Sequence, residues 1–343
     1  MALSKILPAG QDQFAGARNL IINSDFQVSQ RGASFTGITS TIAYRMDRWQ
    51  VGFGAAGSNY SITQATDAPD NFKYSMKWQR TASNAVTNSI WFSQAFESIN
   101  SKVVAGKTCT LSYYAKKGAN YSATSSDIQV RVISGTGTDE SATSAITAGW
   151  AGYAAPLSTT QVITSSWVRY THTVTFASNV NQISVNLASN SAGSAGADDS
   201  LYITGVQLEV GDGAATPFEH PRSYGDELAR CQRYYYKLKP GSNASGYASC
   251  TNNNASRSDG ICHFPVTLRA IPTALETTGT ATDYGCLAAG TNVNCNSVPT
   301  FVRASLNTSF VRFPYATNSV TTGQGGVIQA KTADSFLAWS AEL

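Results

Sequence analysis

The sequence predicts an all-β protein of two sandwich modules joined by a short helix. Apolar and polar residues alternate along most of the chain, which puts one face of each segment in a core and the other outside. Clusters of Gly, Ser, Asn and Asp separate these segments, as turns require. One stretch, residues 226–237, has helical spacing instead. At 343 residues the chain has room for two domains that each bury a core.

The strands follow in order. Tyr74, Met76 and Trp78 alternate with Ser75, Lys77 and Gln79. Ile90, Phe92 and Phe96 share a face that Gln94 interrupts, and Trp91 breaks the alternation beside Phe92. Cys109, Leu111, Tyr113 and Ala115 form the next apolar face, and Ile128, Val130 and Val132 another. Val168, Tyr170, Val174 and Phe176 lie opposite Trp167, Arg169, Thr171 and Thr173. Ile183, Val185 and Leu187, then Val206, Leu208 and Val210, close the series. Residues 19–218 thus hold a run of short strands, which suits a sandwich or a jelly roll. Alternation by itself does not choose between them.

A polar break at residues 219–223 follows. Ser223 or Asp226 is placed to cap a helix over residues 226–237, with Glu227 near its start and Arg233 and Lys237 near its end. Leu228, Cys231 and Tyr235 share one face, and Pro240-Gly241 ends it, so residues 223–241 are expected to be a stiff connector. Alternation then resumes in Cys262-Phe264-Val266-Leu268, Val302-Ala304-Leu306, Val311-Phe313-Tyr315 and Leu337-Trp339-Ala341-Leu343. Residues 242–343 are read as a smaller sandwich whose apolar last strand is paired inside a sheet.

Composition narrows the function. Charged residues make up 13% of the chain, about half the usual share, so Ser, Thr, Asn, Gln and Gly must cover the surface. Such a surface suits work outside the cytosol or burial in an assembly. The net charge is +3 and the longest basic cluster is Lys116-Lys117, too little to neutralise phosphates, so no nucleic-acid partner is expected. No run of about 18 apolar residues predicts membrane insertion. Residues 1–16 lack the layout of a signal peptide, so synthesis and folding in a cytoplasm are expected. The six cysteines form no Cys-x-x-Cys pair, which argues against zinc. Four lie between Cys250 and Cys295 and leave one or two late disulfides open.

No catalytic constellation is visible. The histidines are His172, His220 and His263. His172 shares a strand face with Tyr170 and Val174 and fits a core or edge role. No nucleophile elbow, His-Glu-x-x-His helix or phosphate-binding Gly-rich loop occurs. Glycosidases need two carboxylates across a cleft, and the sequence nominates no pair. The expectation is that the chain is not an enzyme.

Three segments carry a family resemblance. The first is Asn19-Leu-Ile-Ile-Asn-Ser-Asp25-Phe-Gln-Val-Ser-Gln-Arg-Gly32 with Tyr44-Arg-Met-Asp-Arg-Trp49. The second is Leu111-Ser-Tyr-Tyr-Ala-Lys116 with Ser166-Trp-Val-Arg-Tyr170. The third is Leu201-Tyr-Ile-Thr-Gly-Val-Gln-Leu-Glu-Val-Gly211, running through Thr216-Pro-Phe-Glu219 to Glu227-Leu-Ala-Arg-Cys-Gln-Arg-Tyr-Tyr235. Their order resembles the carbohydrate-binding jelly roll of phage and prophage tail-fibre or other virion proteins. Phe264-Pro-Val266 through Leu268-Arg-Ala-Ile-Pro-Thr273 is similar to the C-terminal module that often follows it. The resemblance implies residues 1–18 as a virion-attachment segment, 19–222 as the jelly roll, 223–241 as the linker helix and 242–343 as a β-sandwich tip. It further implies a virion protein, a homotrimer beside other tail proteins, that attaches to a host cell-surface polysaccharide. The alternatives are a purely structural decoration or fibre-shaft protein, and a tailspike-type depolymerase. Trimer packing would also cover edge strands that this weakly charged sequence cannot protect with charge.

Sugar binding needs aromatic faces beside amide, carboxylate or guanidinium groups. Trp150 and Tyr153 lie in a Gly- and Ala-rich loop, and Trp167 faces away from Val168 and Tyr170. In the second module Tyr247, Asn253 in an Asn-Asn-Asn loop, and Arg257 beside Asp259 are the candidates. The competing reading makes the tryptophans core or interface anchors. Related jelly rolls bring first- and last-strand oxygens together around structural calcium, which would nominate Asn23, Asp25, Asp198 and Asp199. Alternatively Asp198-Asp199 only forms a turn.

Overall fold

A computed structural model describes residues 18–39, 42–53, 59–87, 89–211 and 213–343. All but the last residue of the expected attachment segment lies outside these. The chain divides into two compact units, the first ending at Tyr224 and the second running from Gly225 to Glu342.

In the first unit, strands β1 (Ser34–Ile38), β2 (Ala43–Met46), β3 (Trp49–Phe53), β4 (Tyr60–Ala65), β5 (Ser75–Arg80) and β6 (Ser89–Ala95) lead to a short helical turn, α1 (Ser98–Ser101). Then come β7 (Thr108–Lys117), β8 (Asp127–Gly135), helix α2 (Ala142–Ile146), β9 (Ala154–Val162), β10 (Val168–Thr175), β11 (Gln182–Asn190) and β12 (Ser200–Val210). They form two six-stranded sheets, ordered β1-β4-β5-β12-β7-β10 and β2-β3-β6-β11-β8-β9.

The pairings show the topology directly. β5 pairs with β12, β6 with β11, β7 with β10 and β8 with β9, all antiparallel. That is one long hairpin with its turn between β8 and β9. Rolling it up adds β12–β7 and β11–β8 and yields two four-stranded layers. The unit is therefore a jelly roll. The alternating apolar residues meet between the layers, with Trp49, Trp78, Phe92, Leu111, Val130, Val185 and Leu208 fully buried.

Alternation breaks once inside β12. Leu201 and Ile203 point inward, and then so do Val206 and Leu208. A register shift between Thr204 and Gln207 inserts the extra residue, and Gly205 takes it at φ +58°. A side chain there would also strike the Phe72 ring, at 2.7 Å from its first carbon. Val210, expected on the core face, is 41% exposed at the strand end.

An ion pair closes one end of the roll. Arg80 and Asp199 are completely buried and 2.9 Å apart. Arg80 also donates to the carbonyls of Asn84, Val86 and Gly193, and Asp199 accepts from Ser122.

Helix α3 (Tyr224–Gln232) starts at the boundary, and the second unit continues with β13 (Tyr235–Leu238), β14 (Gly246–Asn254), β15 (Arg257–His263), β16 (Glu276–Thr277), β17 (Tyr284–Ala288), β18 (Thr291–Asn294), β19 (Thr300–Ala304), β20 (Thr308–Pro314), β21 (Gly325–Ala330) and β22 (Leu337–Ser340). A seven-stranded sheet, β18-β17-β21-β14-β15-β20-β19, and a three-stranded one, β13-β22-β16, enclose one core around Trp339, Tyr284, Phe313 and Ile328. The whole is all-β, as expected, and the last strand is central in its sheet.

The helix differs from the expectation. It begins two residues earlier and stops at Gln232, and residues 235–238 are a strand on β22. Three consecutive tyrosines, Tyr234–Tyr236 in sequence, favour an extended backbone, and pairing Tyr235 with Ser340 outweighs continuing the helix to residue 237.

All six cysteines are free thiols. Cys250 and Cys286 bring their sulfurs to 3.6 Å, but β21 lies between their strands. Backbones two strands apart are separated by roughly 10 Å, beyond the reach of a disulfide.

Candidate functional site

The outward face of the second jelly-roll sheet carries an unusual set of side chains. Gln50 on β3 stands opposite Ser93 on β6, Ser93 opposite Asn186 on β11, and Asn186 opposite Arg131 on β8. The four form a row across the strands. One step along, Gly52 faces Trp91 and Trp91 faces Ala188; one step the other way lies Ser184. The Trp91 indole crosses Gly52 so closely that a Cβ there would be 2.4 Å from the ring.

These positions point away from the core, yet Ser93 and Ser184 are fully buried and Asn186 and Gln50 are 2% and 4% exposed. Buried polar groups nearly always have partners. Here Gln50 Oε1, Trp91 Nε1, Ser93 Oγ, Arg131 Nε, Ser184 Oγ and Asn186 Nδ2 are buried without one. Trp91 and Arg131 are only half-buried, so these two side chains are the accessible part of the row.

Its flank is built by α2. Ser141 caps that helix by accepting from the Thr143 N–H, and Thr143 Oγ1 accepts from Gln50 Nε2 at 3.0 Å. Trp150 is 4% exposed, donates to the Ser141 carbonyl at 3.0 Å, and packs on Ala142, Ala145 and Ile133. It does not offer a ring face to solvent. Burial of its indole between sheet and helix outweighs the loop-like glycines around it. Tyr153 packs against this cluster, and its hydroxyl accepts from Arg131 Nη2 at 2.5 Å. Of the sequence candidates in this unit, Tyr153 alone therefore joins the row. Gln50, Ser93, Arg131, Ser184 and Asn186 carry no mark in the sequence, whereas Trp91 does, as the ring that breaks alternation beside Phe92.

The unpartnered groups include donors (indole, amide, guanidinium), an acceptor (Gln50 Oε1) and two hydroxyls that can do either. None is a carboxylate, and one carries a formal charge. Such a mixture suits hydroxyl groups, which donate and accept at once. The half-buried indole supplies an apolar face beside them.

Trp167 lies on the opposite sheet. Its indole N–H donates to Asp67 at 3.0 Å, its ring meets Tyr202 edge-on at 6.2 Å, and Lys116 sits 5.5 Å over it. Burial pushes Asp67 up, but the Lys116 and Trp167 hydrogen bonds outweigh it and hold the carboxyl below its usual range.

The four calcium candidates make no cage. Asn23 uses its carboxamide to bridge Val28 and the Asp47 carbonyl. Asp25 accepts from Gln27 at 2.5 Å, and burial holds its carboxyl above the usual range. Asp198 caps Ala119 and accepts from Ser200, which is the turn role. Asp199 is neutralised by Arg80. Among the described residues no three His, Cys, Asp or Glu side chains are grouped to hold a metal ion.

In the second unit Tyr247 is a core residue, 8% exposed, with its hydroxyl donating to Ser335 at 2.7 Å. Asn253 lies at the end of β14 rather than in a loop and donates to Asp259 at 2.7 Å. Arg257 Nε stands 4.0 Å from the same carboxylate. Asp259 thus gathers two of the three candidates.

No protein-family model matches the sequence, and no curated protein matches it. Solved structures do resemble it at low identity. A CBM4 structure is 15% identical with a TM-score of 0.33, over 55% of this chain and 98% of that one. The CBM22-1 xylan-binding domain of Paenibacillus barcinonensis Xyn10C is 14% identical with a TM-score of 0.31, over 53% and 94%. The enzymatically active domain of bacteriophage CBA120 tailspike protein 4 is 12% identical with a TM-score of 0.35, over 56% and 21%.

Proposed function

We propose that this chain is a non-catalytic glycan-binding protein of a phage or prophage virion, and that the row across β3, β6, β11 and β8 takes the saccharide. The single observation that carries the binding role is the set of buried, unpartnered donors and acceptors aligned there. Sugar hydroxyls would satisfy them, and the Trp91 ring would meet a pyranose C–H face. The row holds no carboxylate, so it offers nothing for the acid–base pair of a glycosidase. The virion setting rests on the sequence resemblance carried by the order of segments from Asn19 onward, most specifically residues 206–235, and so do the homotrimer and the tail partners.

Glycan-array binding of the wild type and of Trp91→Ala tests the reading. Wild-type signal confined to a subset of saccharides, and lost in Trp91→Ala, is expected. A flat array at high protein concentration would favour a purely structural virion protein. Release of reducing sugar from a bound polysaccharide would favour the depolymerase. Light scattering at micromolar concentration should give a trimer mass; a monomer would contradict the assembly.

A further inference from the structure

A cavity of about 840 Å³, within the range of ligand pockets, runs along β14 and β15 of the second unit and reaches Tyr236 and Leu238 of β13. Ser249, Thr251 and Asn253 of β14 line it with Asp259, Ile261 and His263 of β15. A smaller cavity of about 230 Å³ adjoins it across Ile261 and Phe310 and is lined by Arg303 of β19. Together they make a two-lobed groove over four neighbouring strands.

Its charge is one-sided. Asp259, 8% exposed, is already satisfied: Arg312 Nε donates to one oxygen at 3.1 Å and Asn253 to the other, with Arg257 at 4.0 Å. Arg303 is different. Its guanidinium lies 4.4 Å over the Phe310 ring, and among the described residues it has no ion-pair partner. Arg257 and Arg312 stand against Asp259 outside the lining of both cavities, so Arg303 is the guanidinium that the groove itself presents. The ridge between the lobes is apolar, with Ile261 49% exposed. A planar cation fixed on an aromatic ring, beside an exposed aliphatic surface and a line of Ser, Thr, Asn and His side chains, matches a sugar that carries an anion.

The geometry points to a second ligand site, separate from the row in the first unit, that binds an acidic oligosaccharide. The anion, a carboxylate or a phosphodiester, meets Arg303; sugar hydroxyls meet Thr251, Asn253 and His263; pyranose C–H groups meet Ile261 and Phe310. Arg312 and Arg257 hold Asp259 in place and add long-range attraction.

Calorimetric titration of the full chain tests this with four probes: oligogalacturonate, a glycerol-phosphate oligomer, a single-stranded oligonucleotide, and maltohexaose as the neutral control. At least one acidic probe should bind at least tenfold more tightly than maltohexaose at low salt. Arg303→Gln should weaken that binding by roughly tenfold to a hundredfold, with melting unchanged because the side chain is exposed. Arg303→Lys should recover part of it, and Trp91→Ala should leave it intact. The carboxylate and phosphate probes distinguish the two anions. Failure of both acidic probes to bind, equal binding of maltohexaose, or an Arg303→Gln variant with wild-type affinity would overturn the site. So would tighter binding of a single-stranded oligonucleotide, which would make the groove a nucleic-acid surface.

Discussion

Ser93→Ala and Ser184→Ala separate a ligand-binding row from a merely structural one. Both hydroxyls are fully buried and unpartnered in the free protein. A buried polar group left unsatisfied costs about 1–3 kcal/mol. Removing one therefore relieves a penalty instead of breaking a bond, and the hole left by one oxygen is small. We expect each variant to be stabilised by about 1 kcal/mol, a rise in Tm of about 2–4 °C for a unit of this size. The saccharide identified on the array should bind more weakly, because each lost hydrogen bond contributes about 0.5–1.5 kcal/mol, or roughly two- to tenfold in Kd. Scanning calorimetry without ligand and titration calorimetry with it give the two numbers. Opposite signs for stability and affinity are the signature of a site built for a ligand. Two variants that melt lower and bind normally would refute the reasoning, because the hydroxyls would then be serving the fold.

Three further expectations follow from the same geometry. Arg80→Met strands the Asp199 carboxylate in a fully buried position and should cost about 3–5 kcal/mol in urea denaturation, whereas a loss under 1 kcal/mol would mean that water reaches the pair. Burial holds the His172 imidazole below its ordinary range, with its ring stacked on Tyr113 at 5.8 Å, so the unfolded chain binds the proton first; stability contributed by this residue should be present above about pH 6.5 and fall as pH drops below it, and a His172→Gln variant that keeps the full acid slope would exclude this source. The contact between the Cys250 and Cys286 thiols lowers Cys286 and raises its partner, yet the intervening strand should keep the two from bonding; alkylation and mass measurement after treatment with diamide should find both thiols free, and a Cys250–Cys286 disulfide would show that the sheet flexes by several ångströms.

Much of the architecture was legible because alternation reports directly on burial. Trp78, Leu111, Val130 and Val185 all face the core as their spacing predicts. Gly205 hid a change of phase, since one bulged residue moves every later side chain to the other face. The helix was overextended because Tyr235 fits a helical face as well as a strand, and only its partner Ser340, far along the chain, decides between them. The site was harder. Ser93, Arg131, Ser184 and Asn186 are outward positions in sequence, and nothing local says that they are covered. They become a row only when β6, β11 and β8 are laid side by side by the roll. Trp150 misled for the reverse reason: Gly149 and Gly152 suggest an open loop, while its indole N–H is spent on the Ser141 carbonyl. The usable signal was Trp91, whose break in alternation marks a large ring on the outer face.

The most direct test of the account is a high-resolution crystal structure of the full chain with the array-selected oligosaccharide bound. Saccharide hydroxyls within hydrogen-bond distance of Asn186 Nδ2 and Ser93 Oγ, with a ring against Trp91, are the predicted result. Ordered waters filling those positions, with the saccharide bound elsewhere on the first unit, would contradict it.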